Sequence, residues 1–131
     1  MNSQRVHFVV ELEIQEGKFD DFAATAQAMA AGTAKEPGAL EYEWFLSKDN
    51  TRCRLVEIYA DAEAVKAHLA SAVVHELVPK LLGFATLTRF EVYGVPDEAA
   101  VARLNMIGAQ IYRHWHGIGS QQSGAASAAA G

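Results

Sequence analysis

Two histidines, His68 and His75, stand seven residues apart with Ser71 between them, in a stretch where Val65, Leu69 and Ala72 recur at helical spacing. On one helix that spacing gives nearly the same azimuth, so His68 points with Val65, Leu69 and Ala72 toward an apolar interior, and His75 follows it. An imidazole in such a place can act as a base near neutral pH. The plainer reading is a pair of helix histidines, one buried and hydrogen-bonded and one at the rim. A shared metal is disfavoured, because i and i+7 lie about 10 Å apart along the axis and chelating helix pairs are closer, as at i and i+4.

Aromatic side chains could serve such a base. Tyr42 and Trp44 share one face of a period-2 segment and Tyr59 ends another, an arrangement that suits either core packing or a flat pocket for a planar substrate beside His68. Glu57 sits among Leu55, Val56, Ile58 and Tyr59, where an unpaired carboxylate would be costly to bury. It calls for a catalytic use or for a partner, such as Arg89 or Arg54 across the sheet or a dimer seam. His114 and His116 flank Trp115, but two ligands make a surface cluster rather than a metal site. Cys53 reads as a small hydrophobe in a strand. No glycine-rich phosphate loop, nucleophile elbow or His-Glu-x-x-His motif occurs, so nucleotide, phosphate and serine-hydrolase chemistry lack support.

The elements that position these residues emerge from periodicity. Val6, Phe8, Val10, Leu12 and Ile14 alternate with His7, Val9, Glu11 and Glu13 as a strand. From Lys18 the period changes to that of a helix through Phe19, Phe22, Ala26, Met29 and Thr33, reaching about Lys35, where Glu36, Pro37 and Gly38 break it. Leu40 to Leu46 and Arg52 to Tyr59 form a hairpin about Lys48, Asp49 and Asn50. Asp61 caps the helix of His68, whose continuation, straight or kinked, carries Leu77, Leu81 and Leu82 and ends at Pro79 and Gly83. Thr86 to Tyr93 is a fourth strand.

This order of strand, helix, strand, strand, helix, strand is the α+β, ferredoxin-like βαββαβ arrangement, spanning residues 1–95. One sheet face carries the helices; the other keeps enough apolar side chains that a sheet-to-sheet homodimer is expected. Residues 96–118 form a C-terminal extension, with a short helix capped by Asp97 and stopped at Gly108, then a segment from Ile111 to His116 that fits strand or helix equally. Residues 119–131, all Gly, Ser, Gln and Ala, read as a disordered tail.

Composition narrows the class. Half of the 131 residues are hydrophobic, but 24 are Ala, so the core is modest. A net charge of -5 offers no basic stripe to a nucleic acid. A single Cys53 forbids an intrachain disulfide and a cysteine-based zinc site. No apolar run approaches the roughly 20 residues that cross a bilayer, and Met1 to Arg5 lead straight into a strand with no signal-peptide pattern. The expectation is a cytoplasmic protein with no nucleic-acid or membrane partner.

Four segments together resemble the antibiotic biosynthesis monooxygenase superfamily of dimeric α+β barrels: Glu16-Gly17-Lys18-Phe19, Glu36-Pro37-Gly38-Ala39-Leu40-Glu41-Tyr42, Val56-Glu57-Ile58-Tyr59-Ala60-Asp61 and Ala67-His68-Leu69-Ala70-Ser71. They cover roughly residues 6 to 95. The resemblance implies a homodimer with a pocket between sheet and helices in each protomer, and, as in several members, oxygenation with no metal or other cofactor. Its partners would be a small aromatic, quinol-like or polyketide-like substrate and dioxygen. His68 is then the catalytic base, Tyr42 and Trp44 are hydrogen-bond donors and stacking walls, and Glu57, Tyr59 and His75 contact substrate. Heme degradation, another activity of such folds, is disfavoured, since Val10 stands where an Asn is required and the Trp position falls near His68. Two further readings stay open: an isomerase or lyase acting on a small carbonyl compound without oxygen, and a non-catalytic dimeric ligand-binding module.

Overall fold

The structure is a computed structural model that describes residues 5–119. Its first four strands and first two helices match the sequence pattern closely. Strand β1 spans Val6–Ile14, helix α1 Phe19–Thr33, β2 Ala39–Leu46, β3 Arg52–Tyr59 and α2 Ala62–Leu69. A π-helical turn, Val73–Leu77, runs into the short helix α3, Val78–Leu81; then come β4, Ala85–Tyr93, α4, Glu98–Met106, and β5, Gln110–Tyr112.

The sheet order is β2-β3-β1-β4-β5. The first four strands pair antiparallel in the ferredoxin-like order, and β5 joins the edge of β4 in parallel. Of the stretch from Ile111 to His116, only Ile111 and Tyr112 become strand, together with the preceding Gln110, because β4 offers a free edge there. Alternation decides the faces. On β1, Val6, Phe8, Val10 and Leu12 are buried; on β3, Cys53, Leu55, Glu57 and Tyr59 are buried while Arg52 and Arg54 are exposed.

The helices cover one face in two adjoining apolar clusters. One joins Phe22, Met29, Leu55, Val73 and Leu81; the other joins Phe8, Tyr59, Val65, Leu69 and Leu104. The opposite sheet face carries half-buried Val9, Val56 and Ile58 beside the paired charges Glu11, Arg54, Arg89 and Glu91. No helix of the described residues is long and apolar enough to cross a membrane. The tail expected over residues 119–131 lies, beyond Gly119, outside the described residues.

Candidate active site

His68 reaches the interior because α2 starts where it does. Asp61 Oδ1 accepts a hydrogen bond from the Ala64 amide at 2.9 Å, a side-chain N-cap that fixes the first turn. Further along the helix His68, only 4% exposed, lies between helix and sheet. Ser71 Oγ donates to the His68 carbonyl at 2.6 Å, beside the Ser71 amide at 2.9 Å, so the end of α2 is closed locally.

The loop after α1 closes on this helix. A Cβ on Gly38 would lie 2.4 Å from the Ala64 Cβ, so only glycine permits the approach, and the Ala60 amide donates to the Gly38 carbonyl at 2.9 Å. That contact brings Glu36 to His68: Nδ1 stands 3.0 Å from Glu36 Oε1 and 3.1 Å from Oε2. A carboxylate there selects the tautomer with the proton on Nδ1, which leaves the Nε2 lone pair free. Nε2 faces Glu57 Oε1 across 3.7 Å, longer than a hydrogen bond.

Glu57 projects inward with Leu55 and Tyr59 on β3, in register with Tyr42 of β2 and Phe8 of β1. The Tyr59 hydroxyl donates to Glu57 Oε1 in a short hydrogen bond. The rings of Tyr42 and Tyr59 stand 5.9 and 5.1 Å from that of His68.

Burial dominates the electrostatics. It pushes Glu57 up to about 8, with the Tyr59 hydrogen bond pulling the other way and Glu36 adding to the rise. It also holds His68 below the usual imidazole range, against the opposing pull of Glu36. The phenols of Tyr42 and Tyr59 are raised well above the usual tyrosine value, by burial first and by Glu57 next. At neutral pH the inner set is therefore uncharged: the His68 imidazole beside a protonated carboxyl and two phenols. Groups whose environments drive their pKa values in opposite directions are a mark of acid–base chemistry.

These groups open on a cavity of about 130 Å³. Apart from Tyr42, Glu57 and His68, its walls are apolar, among them Phe8, Val10, Met29, Leu55 and Phe90. One aromatic ring fits such a space, since an apolar cavity of about 150 Å³ takes up benzene.

The structure thus brings together His68, Glu57, Tyr42 and Tyr59, with Tyr59 behind Glu57 rather than on the cavity. Trp44 is not in the lining; it packs edge-on to Tyr42 and Phe22, and its buried indole N–H has no partner. His75 is exposed and not part of the cavity lining, because α2 ends at Leu69 and the chain turns through Ala70 and Ser71 before the π-helical turn, where Val74 faces the cavity instead. The partner suggested for Glu57 is also corrected. Arg54 and Arg89 pair with Glu11, at 3.4 and 3.5 Å, on the opposite sheet face, where alternation places them. Cys53 is buried in the core. Exposed Trp115 contacts the ring of His116, and no group of three or more His, Cys, Asp or Glu side chains able to hold a metal occurs among the described residues. Glu36 is the site residue that sequence reasoning passes over. Its place in Glu36-Pro37-Gly38 is a visible signal, but one that reads equally as a helix stop.

Residues 5–80 match the sequence model of a family described as antibiotic biosynthesis monooxygenase. No curated protein sequence is significantly similar to the chain. Among solved structures, MupZ from Pseudomonas fluorescens is 26% identical with a TM-score of 0.73, over 87% of this chain and 93% of that one. SnoaB, a cofactor-independent oxygenase from Streptomyces nogalater, is 18% identical with a TM-score of 0.61, over 72% of this chain and 95% of its own, and shares the fold.

Proposed function

The chain belongs to the antibiotic biosynthesis monooxygenase family, and from that premise we propose that it oxidises a small hydroxylated aromatic compound with dioxygen, using no metal or flavin and with His68 as base. The observation that carries the reading is the geometry of His68, whose Nδ1 lies 3.0 Å from Glu36 Oε1, a contact that favours the Nδ1–H tautomer, and whose ring lines an apolar, ring-sized cavity beside buried Glu57. The fold shared with SnoaB, a cofactor-independent oxygenase, agrees with it.

Dioxygen in its triplet ground state reacts slowly with closed-shell molecules, so the substrate must supply the electrons. Take a one-ring phenol or hydroquinone. Nε2 removes the hydroxyl proton, and the phenolate, its charge shared between the oxygen and the ortho and para ring carbons, passes an electron to dioxygen. Superoxide and the phenoxyl radical recombine at a ring C–H carbon to form the C–O bond, and the proton returned from His68 gives a ring hydroperoxide. Loss of the proton on that carbon with cleavage of the O–O bond leaves a ring carbonyl and water, so one oxygen atom enters the product and the other leaves as water. The protonated Glu57 carboxyl and the Tyr42 hydroxyl are the donors available to the oxyanion. The apolar walls strengthen those hydrogen bonds by keeping the site dry. A second copy covering Val9, Val56, Ile58 and exposed Phe45 of the outer sheet face completes the reading as a homodimer.

The test is turnover of a hydroquinone by chelator-treated protein in air and under argon. Oxygen-dependent product formation, reduced about 100-fold or more in His68→Ala, is expected. Equal turnover by the variant removes His68 from the mechanism. Conversion of a small carbonyl compound under argon would instead establish an isomerase or lyase, and ligand binding with no turnover in a broad panel would leave a binding module.

A further inference from the structure

The cavity is closed at one side by a residue outside the segment matched to the family. Ile107, immediately after α4, lines it together with Leu82, which follows α3. Both are also 40% or more exposed, Leu82 at 40% and Ile107 at 52%, so they stand where cavity meets solvent.

Ile107 is held there by well-defined local structure. Helix α4 begins with Asp97 Oδ1 accepting from the Ala100 amide at 2.9 Å and buries Ala100 and Leu104 against the cluster of Phe8, Val65 and Leu69. Its other end is a Schellman motif: Gly108 adopts φ +85°, its amide donates to the Asn105 carbonyl at 3.0 Å, and the Ala109 amide donates to the Leu104 carbonyl at 3.0 Å. Buried Ala109 lies in the same cluster as Leu104, the apolar contact that accompanies this motif. Arg103 Nη2 donates to the Leu69 carbonyl at 2.9 Å, so the extension is tied to α2 one residue beyond His68. The rim is thereby fixed relative to the helix that carries the base.

We infer that the α4–β5 turn sets substrate size, with Ile107 and Leu82 forming a fixed rim that accepts one aromatic ring and resists a second fused ring. This rests on the reading of the cavity as the substrate site. Both side chains border the ring-sized interior and reach solvent, so a second fused ring would lie against them. In an apolar pocket one methylene of fit is worth roughly 10- to 200-fold, so trimming either side chain should show in ligand preference.

Binding of phenol and of 1-naphthol to the full chain, measured by calorimetry, tests this without requiring turnover. Ile107→Ala and Leu82→Ala are each expected to raise naphthol affinity relative to phenol about tenfold or more, and Ile107→Trp to lower it. Met106→Ala, at a neighbouring position that does not line the cavity, should leave the ratio unchanged and controls for loosening of the turn. If both ligands bind and the ratio is indifferent to Ile107 and Leu82, the inference is wrong while the substrate cavity stands. If neither ligand binds any form, the reading of the cavity fails, and the inference fails with it.

Discussion

Glu57→Gln should abolish a specific part of the pH dependence of stability. In the unfolded chain Glu57 titrates near the ordinary glutamate value of about 4.3 to 4.5. In the folded protein burial beside Tyr59 and His68 raises it to about 8. A carboxyl with a raised folded pKa contributes stability that is fully present below the unfolded pKa and is lost as pH rises through the folded one. The window is therefore about pH 4.5 to 8. At 1.36 kcal/mol per pKa unit, the group withdraws about 3 kcal/mol of stability between pH 5 and pH 8. Glutamine keeps the shape and neutrality of the protonated acid and does not titrate. Urea unfolding of both proteins, followed by tryptophan fluorescence at half-unit steps across this range, should show the wild type losing about 3 kcal/mol relative to the variant. A constant difference across the window would mean that Glu57 ionises at its ordinary value in the fold, and the uncharged inner set would be wrong.

Two other substitutions probe the loop after α1. Glu36→Gln removes the carboxylate that opposes the downward shift of His68, so the acid limb of kcat/KM should move to lower pH, and the rate should fall about 10-fold or more as the ring loses its orienting partner. An unchanged pH profile and rate would deny Glu36 its positioning role. Gly38→Ala sets a methyl 2.4 Å from the Ala64 Cβ, two groups with no flexible end to yield. It should cost about 1–3 kcal/mol in denaturant unfolding and mimic Glu36→Gln in the rate, whereas full stability would show that the loop approaches α2 with room to spare.

Much of the fold is legible in the residues. Alternation on β3 separates Cys53, Leu55 and Tyr59 from Arg52 and Arg54, and it places Glu57 in the buried phase even though its chemistry argues for the surface. Asp61 and Asp97 announce their helices, and both cap as expected. His68 and its aromatic neighbours are equally visible, since helix and strand periods each point them inward.

The features hidden from sequence reasoning each have a physical cause. His75 leaves the face of His68 because α2 stops at Leu69 and the chain turns through Ala70 and Ser71, an interruption with no glycine or proline to announce it. The pairing of Glu36 with His68 spans 32 positions and exists because a glycine lets two backbones approach, which is a tertiary fact. The edge pairing of β5 likewise depends on an opening that only the assembled sheet provides.

The central claim is that His68 is a neutral base with its proton on Nδ1 and its free lone pair on Nε2. Nitrogen-15 correlation spectra of the histidine-labelled protein, recorded through a pH titration, report the tautomer and the midpoint of this residue directly. An Nδ1–H imidazole at pH 7, with a midpoint below the ordinary value of about 6.5, is the expected result. An Nε2–H tautomer, or an imidazolium persisting at pH 7, would contradict it.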